Sequence, residues 1–240
     1  LQKIFKNTTD NIAMPIGFLD GKIWCFNKQY QLATFDVTTK KIALVAQLQL
    51  AALKSIHIYE MSNNCFYYHY PFIDTNGKIW IINNNEILKF DTKTNKSYYP
   101  LKNCFSNQNP NFTGSSFDNI SNSFFIGTDN GIFEYNLKDN KIKEIKNQGK
   151  SFGQILGIAA KNKLVAFRTN FDIFFLNKKS NVLKKIPVND KNNYNRTFGY
   201  SIDKSNRLWI CDDGKGQLIF DFKAKLLPKI PDENTTFNYF

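Results

Sequence analysis

Short apolar runs of strand length alternate with compact polar clusters along the whole chain. In the stretch Pro71–Asp91, "PFID" reads as one strand, "KIWII" as a second and "ILKFD" as a third. "TNG" and "NNNE" supply the turns between them, because Gly and Asn tolerate positive φ. "TKTNK" then turns into a short fourth strand. The fourth-strand pattern recurs as "KIKEI" (Lys141–Ile145), "VLKKI" (Val182–Ile186) and "LLPKI" (Leu226–Ile230). The pattern therefore predicts units of four antiparallel strands and an all-β chain.

The units repeat. "DTNGKIW" and "DKSNRLW" each place an aspartate six positions before a tryptophan, and "DGKIW" opens an earlier copy. Phe35-Asp36, Phe90-Asp91 and Phe220-Asp221 follow Trp24, Trp80 and Trp209 at offsets of ten to twelve residues. "SNSFFIGTDNGIFEYNLKDNK" and "KNKLVAFRTNFDIFFLNKKSN" are further copies, with Phe125 and Val165 in the tryptophan's place. The anchors Trp24, Trp80, Phe125, Val165 and Trp209 are 56, 45, 40 and 44 residues apart. Periods of about 40–50 residues with four strands per period predict a β-propeller with five recognisable blades. The aspartate-led turn makes the first hairpin of each blade, and the anchor packs between blades.

"LQKI" at Leu1–Ile4 fits a fourth strand, and Ile4 precedes Trp24 by the same 20 residues that separate Ile145 from Val165. Phe240 lies ten residues beyond Ile230. Residues 1–240 are therefore expected to form one propeller segment of a larger propeller, with no internal domain boundary.

Composition narrows the function classes. Aromatic residues make up 15% of the 240, led by 23 phenylalanines, which suits pleated surfaces. The longest apolar stretch, "KIALVAQLQLAALKSI", is broken by Gln47 and Gln49 and is too short to span a bilayer. No signal peptide is visible. The net charge of +12 comes from scattered lysines, with arginine only at 168, 196 and 207, so no nucleic-acid footprint is expected. None of Cys25, Cys65, Cys104 and Cys211 forms a CxxC pair, which argues against zinc. Cys25 and Cys211 read as small hydrophobes in strands; Cys65 and Cys104 fit either a bridge or two free thiols. Asp74, Asn76 and Gly77 begin like a calcium loop, but no bidentate Glu follows at the right distance, so they read as a hairpin turn. His57 and His69 are the only histidines, and no nucleophile motif or paired-carboxylate spacing accompanies them. No catalytic residue, metal or cofactor is expected.

The best copies, "DTNGKIWI", "FFIGTDNGIFEYN" and "DKSNRLWICDDGKGQLIFD", together resemble the two-component regulator propeller repeat, and the resemblance covers nearly the whole chain. It implies an extracytoplasmic or periplasmic ligand-sensing region of a membrane-bound two-component sensor, non-catalytic in this segment and often directed at oligosaccharides. It also implies downstream signalling domains in the same chain and a homodimer of the full-length protein. Gly-Thr of the repeat occurs only at Gly127-Thr128. A propeller enzyme of lyase or glycosidase type and a pure protein-interaction scaffold stay open as alternatives.

In propellers, ligands meet the face carrying the second-to-third strand turns and the linkers between blades. Those turns are expected at residues 27–30, 83–86, 127–131, 168–172 and 211–216. They supply Asn84, Asp129, Arg168 and Asp212 as candidate ligand contacts. The long linker "IHIYEMSNNCFYYHY" adds Tyr67, Tyr68 and Tyr70, whose rings suit sugar faces, although the same aromatics equally fit an inner strand that simply packs.

Overall fold

The computed structural model describes residues 14–26, 31–46, 71–82, 87–101, 104–105, 110–186, 197–212, 216–221, 223 and 225–228. These form nineteen strands and no helix. Each sheet is antiparallel and follows chain order. The first holds β1 (Met14–Leu19), β2 (Lys22–Phe26), β3 (Leu32–Asp36) and β4 (Ile42–Ala46). The second holds β5 (Phe72–Ile73), β6 (Lys78–Ile82), β7 (Ile87–Asp91) and β8 (Lys96–Tyr98). The third runs through β9 (Phe112–Asp118), β10 (Ser123–Thr128), β11 (Ile132–Asn136) and β12 (Lys141–Ile145). The fourth comprises β13 (Ile155–Lys161), β14 (Leu164–Thr169), β15 (Ile173–Asn177) and β16 (Val182–Ile186). The fifth has β17 (Thr197–Ile202), β18 (Leu208–Asp212) and β19 (Gly216–Phe220). Of the fourth strand expected at Leu226–Ile230, the described residues form an isolated bridge, Leu226 to Phe220, and Lys229 and Ile230 lie outside them. The fourth-strand pattern at Leu1–Ile4 lies outside the described residues.

The turns explain why the strands stop where they do. Asp20-Gly21 and Asn162-Lys163 are two-residue loops with both residues at positive φ, 52° and 75° in one and 54° and 63° in the other. That backbone twist matches the right-handed twist of flanking strands. The last hairpin of each four-stranded sheet uses another device. Asp36, Asp91, Asn136 and Asn177 end the third strand, and their side-chain oxygens accept from backbone N–H groups two residues on. Four positions later Lys40, Asn95, Asn140 and Asn181 adopt positive φ, between 54° and 57°. Polar clusters at these points thus close hairpins by satisfying backbone donors locally.

Packing joins successive sheets face to face. Trp24, Phe26 and Leu32 of the first sheet bury against Ile79, Ile81 and Phe90 of the second. Trp80 and Ile82 pack on Phe112, Phe124 and Ile126 of the third. Phe125 and Ile132 meet Ile155, Val165 and Phe167 of the fourth. Ala166, Ile173 and Phe175 meet Ile202, Leu208 and Ile210 of the fifth. Trp24, Trp80, Phe125 and Trp209 occupy matching positions on second strands, paired with the third-strand residue two before its closing Asp or Asn. In the fourth sheet that position belongs to Ala166, not Val165. Leu164 pairs with Asn177, so Val165 sits one step early and faces the third sheet. Alternation makes a one-residue slip a change of face.

A second repeat was not visible in the sequence reading. The inner strands β1, β9, β13 and β17 each carry a bulge followed by glycine, at Gly17, Gly114, Gly157 and Gly199. A Cβ on Gly17 would stand 3.1 Å from Ile73, and one on Gly157 only 2.6 Å from the Tyr200 ring. A side chain of the next inner strand covers each of these two glycines, which lets neighbouring inner strands approach closely.

Candidate functional site

The second-to-third strand turns that the structure describes share one design. In "GTDNG", Thr128 N–H donates to Gly131 O at 2.9 Å, its hydroxyl donates to the same oxygen at 3.0 Å, and Asn130 N–H donates to that hydroxyl at 3.1 Å. In "RTNFD", Thr169 does the same toward Asp172 O, at 2.8 and 3.2 Å, and its hydroxyl accepts from Phe171 and Asp172 N–H. Each loop is also braced by the residue just before the inner strand. Asn111 Nδ2 donates to Asp129 Oδ2 at 3.3 Å, and Asn170 Nδ2 donates to Gln154 Oε1 at 3.3 Å. Ser151 donates to Asn130 O, tying the connection between sheets to the loop. The result is a face of short, internally bonded loops whose outward groups are Asn130, Asn170 and Phe171, the last 78% exposed.

The sequence-derived candidates fall in different places. Asp129 is half-buried in its loop, and its Oδ1 lies beneath the surface with no hydrogen-bond donor against it. Arg168 is not in the turn. It is the fifth residue of β14, paired with Gly157 and Ile173, and only 5% exposed. Strand alternation turns it, with Ala166, toward the fifth sheet, in the register that Gly127 holds in the third. Its expected place as a solvated turn residue is corrected accordingly. Asp212 ends β18, its backbone paired with Thr197 and Gly216. Tyr67, Tyr68, Tyr70 and Asn84 lie outside the described residues. Asp129 and Arg168 stand at matching ends of successive sheets. The loop threonines, Asn111, Gln154 and Phe171 were missed, although Thr128 and Thr169 stand at the same offset from their sheets' anchors.

Two lysines on this face pair with acids, Lys185 with Asp172 at 2.6 Å and Lys146 with Glu144 at 3.1 Å. Among the described residues, no three His, Cys, Asp or Glu side chains converge in a metal-ligating group. Burial pushes the Cys25 thiol up to about 11, so it stays protonated and packs as a small hydrophobe. Cys211, expected to pack likewise, is exposed. Cys104 carries a free thiol, and its suggested partner Cys65 lies outside the described residues.

No protein-family model matches the chain, and no curated protein matches it by sequence. Solved structures do resemble it in fold. The extracellular domain of the hybrid two component system BT4673 from B. thetaiotaomicron superposes with a TM-score of 0.56 at 16% identity, over 87% of this chain. The corresponding domain of BT3049 from the same organism gives 0.53 at 14% identity, over 90%. A chain of a nidogen/laminin complex gives 0.55 at 10% identity, over 91% of this chain and 78% of its own length. The chain spans only about a quarter of the two bacterial domains, 27% and 28% of their lengths. It shares its fold with extracellular domains of two-component systems, in agreement with the repeat resemblance read from its sequence.

Proposed function

We propose that this chain is a propeller segment forming the non-catalytic, ligand-sensing part of an extracytoplasmic two-component sensor, with oligosaccharides as the ligand class. The observation that carries the reading is the fold shared with two extracellular domains of such systems along nearly the whole chain. The loop face supports it: rigid, internally bonded loops hold amide and aromatic groups outward, with the Asp129 carboxylate half-buried beside them. Sugars combine apolar ring faces with hydroxylated rims and need both kinds of partner. Downstream signalling domains in the same chain and a homodimer of the full-length protein belong to the same proposal.

Calorimetry against a panel of oligosaccharides tests it. Asp129→Ala should weaken a bound oligosaccharide about tenfold or more, the cost of a charged hydrogen bond of ~1.5–3 kcal/mol, with only a small drop in melting temperature from the lost Asn111 bond. Arg168→Ala should weaken binding and also lower the melting temperature, because this arginine is buried in β14. An oligosaccharide that binds with the same affinity to Asp129→Ala removes the loop face from the site.

A second reading, a protein-interaction scaffold, draws on the likeness to the nidogen/laminin complex chain. Binding of a folded protein to the loop face, with no oligosaccharide retained, would favour it.

A further inference from the structure

We propose that the hairpin end of the sheets, opposite the loop face, is a docking surface for an anionic lipid membrane. Because strand direction alternates, the first-to-second and third-to-fourth turns of every sheet fall at this same end. Cross-sheet hydrogen bonds place these ends side by side. Thr75 donates to Asn122 Oδ1 at 3.1 Å, Lys163 N–H to Asp118 Oδ2 at 2.8 Å, and Asn162 to Asn206 Oδ1 at 2.9 Å. A Cβ on Gly77 would touch Leu19, bringing the first sheet's turn into the same rim.

This rim is basic in all five sheets. Lys40, Lys93, Lys138, Lys179 and Lys223 occupy the last turns, all exposed, and none is ion-paired among the described residues. The acids at the same turns are engaged elsewhere: Asp36 and Asp91 bind turn N–H groups, and Asp203 holds Trp209 and Arg207. Asp20 and Asp139 are exposed at these turns as well, but the five lysines outnumber them, whereas on the loop face Lys146 and Lys185 pair with acids.

Two further tips point to lipid rather than to a soluble polyanion. Val37 and Ile120 stand exposed on turns of this rim, at 44% and 58%. Aliphatic tips among lysines match an interface where ammonium groups meet headgroup phosphates and small apolar side chains enter the acyl boundary. A sulfated polysaccharide would gain nothing from the aliphatic tips. This inference does not rest on the ligand reading of the loop face.

Co-sedimentation of the full chain with vesicles tests it, comparing phosphatidylcholine alone with mixtures containing phosphatidylglycerol. The chain should sediment with the anionic vesicles only, and added salt should release it. Combining Lys40→Ser, Lys93→Ser, Lys138→Ser and Lys179→Ser should weaken partitioning at least about tenfold. Val37→Ser with Ile120→Ser should weaken the binding that survives added salt. These positions are exposed turn tips, so circular dichroism should give wild-type melts for both variants. Equal binding by the lysine variant, or equal binding to uncharged vesicles, overturns the proposal. Capture by soluble dextran sulfate that ignores the Val37 and Ile120 changes assigns the rim to a polysaccharide and overturns it too.

Discussion

Asp74 and Asp203 each hold a turn and a tryptophan together. One carboxylate oxygen accepts from two backbone N–H groups of the turn, at 2.8–3.0 Å for Asp74 and 2.9 Å for Asp203. The other accepts from the indole Nε1 of Trp80 at 2.8 Å or Trp209 at 2.9 Å. This is the physical content of the six-residue spacing between aspartate and tryptophan in the sequence. Asp20 differs: it sits inside a two-residue turn at positive φ, four residues before Trp24. In the third sheet, where phenylalanine replaces tryptophan, the Asp118 carboxylate turns instead to Ser121 and to Lys163 N–H of the next sheet. Asp203→Ala should therefore cost about 1–3 kcal/mol of stability, by strand-turn hydrogen bonds lost and an indole left unpaired.

Asp203 and Asp91 also set an acid limit. Burial pushes Asp203 up, but donors from Trp209 and Arg207 outweigh it and hold the group at about 2. The Lys78 ammonium and the Lys93 N–H hold Asp91 at about 2 as well. Both are depressed from the ordinary value of 3.8. Their stabilisation is thus complete above that value and is lost as pH falls from about 4 to about 2. Denaturant midpoints measured across this window should drop on acidification, and less so in Asp91→Asn with Asp203→Asn. A wild-type midpoint that stays flat from about pH 4 to about pH 2 would contradict this.

At the scale of strands, most of the architecture was legible because turn chemistry and apolar runs are local. The third-strand Asp or Asn, the positive-φ residue four positions later and the second-strand anchors all show in the sequence. What escaped depends on partners distant in sequence. Val165 reads as an anchor by its apolar neighbours, yet pairing with Asn177 fixes Ala166 there instead. Arg168 reads as a turn residue because "RTN" is polar, but the Thr169 hydroxyl closes the loop and leaves Arg168 within the strand. The inner-strand glycines carried no signal until the next sheet's side chains were seen above them. Gly157→Ala should cost about 1–3 kcal/mol, because the Tyr200 ring stands in the way of the new methyl. Gly199→Ala, whose nearest neighbour would be at 4.0 Å, should change stability by less than about 0.5 kcal/mol. Equal costs for the two would show that packing between inner strands is not what selects glycine.

Across the described sheets, the first four succeed one another as layers, with Trp24, Trp80, Phe125 and Ala166 each buried on the following sheet. A cross-sheet ion pair adds to this, with Glu134 of the third sheet accepting from Lys178 of the fourth at 2.6 Å and from Ser123 at 3.0 Å. The two ends of the layers then differ in chemistry: rigid loops at one and lysine-tipped hairpins at the other. That polarity is what the proposed sensor would use, meeting its ligand at the loop end. The turn positions, with Asp129 in one of them, were readable from the repeat, whereas the bracing by Asn111 and Gln154 required the sheets to be folded together. Hydrogen exchange of the chain with and without a bound oligosaccharide tests the central claim most directly. The account predicts added protection at residues 127–131 and 168–172, with the hairpin turns at 92–95, 137–140 and 178–181 unchanged. Protection confined to those hairpin turns, with none at the loops, would contradict it.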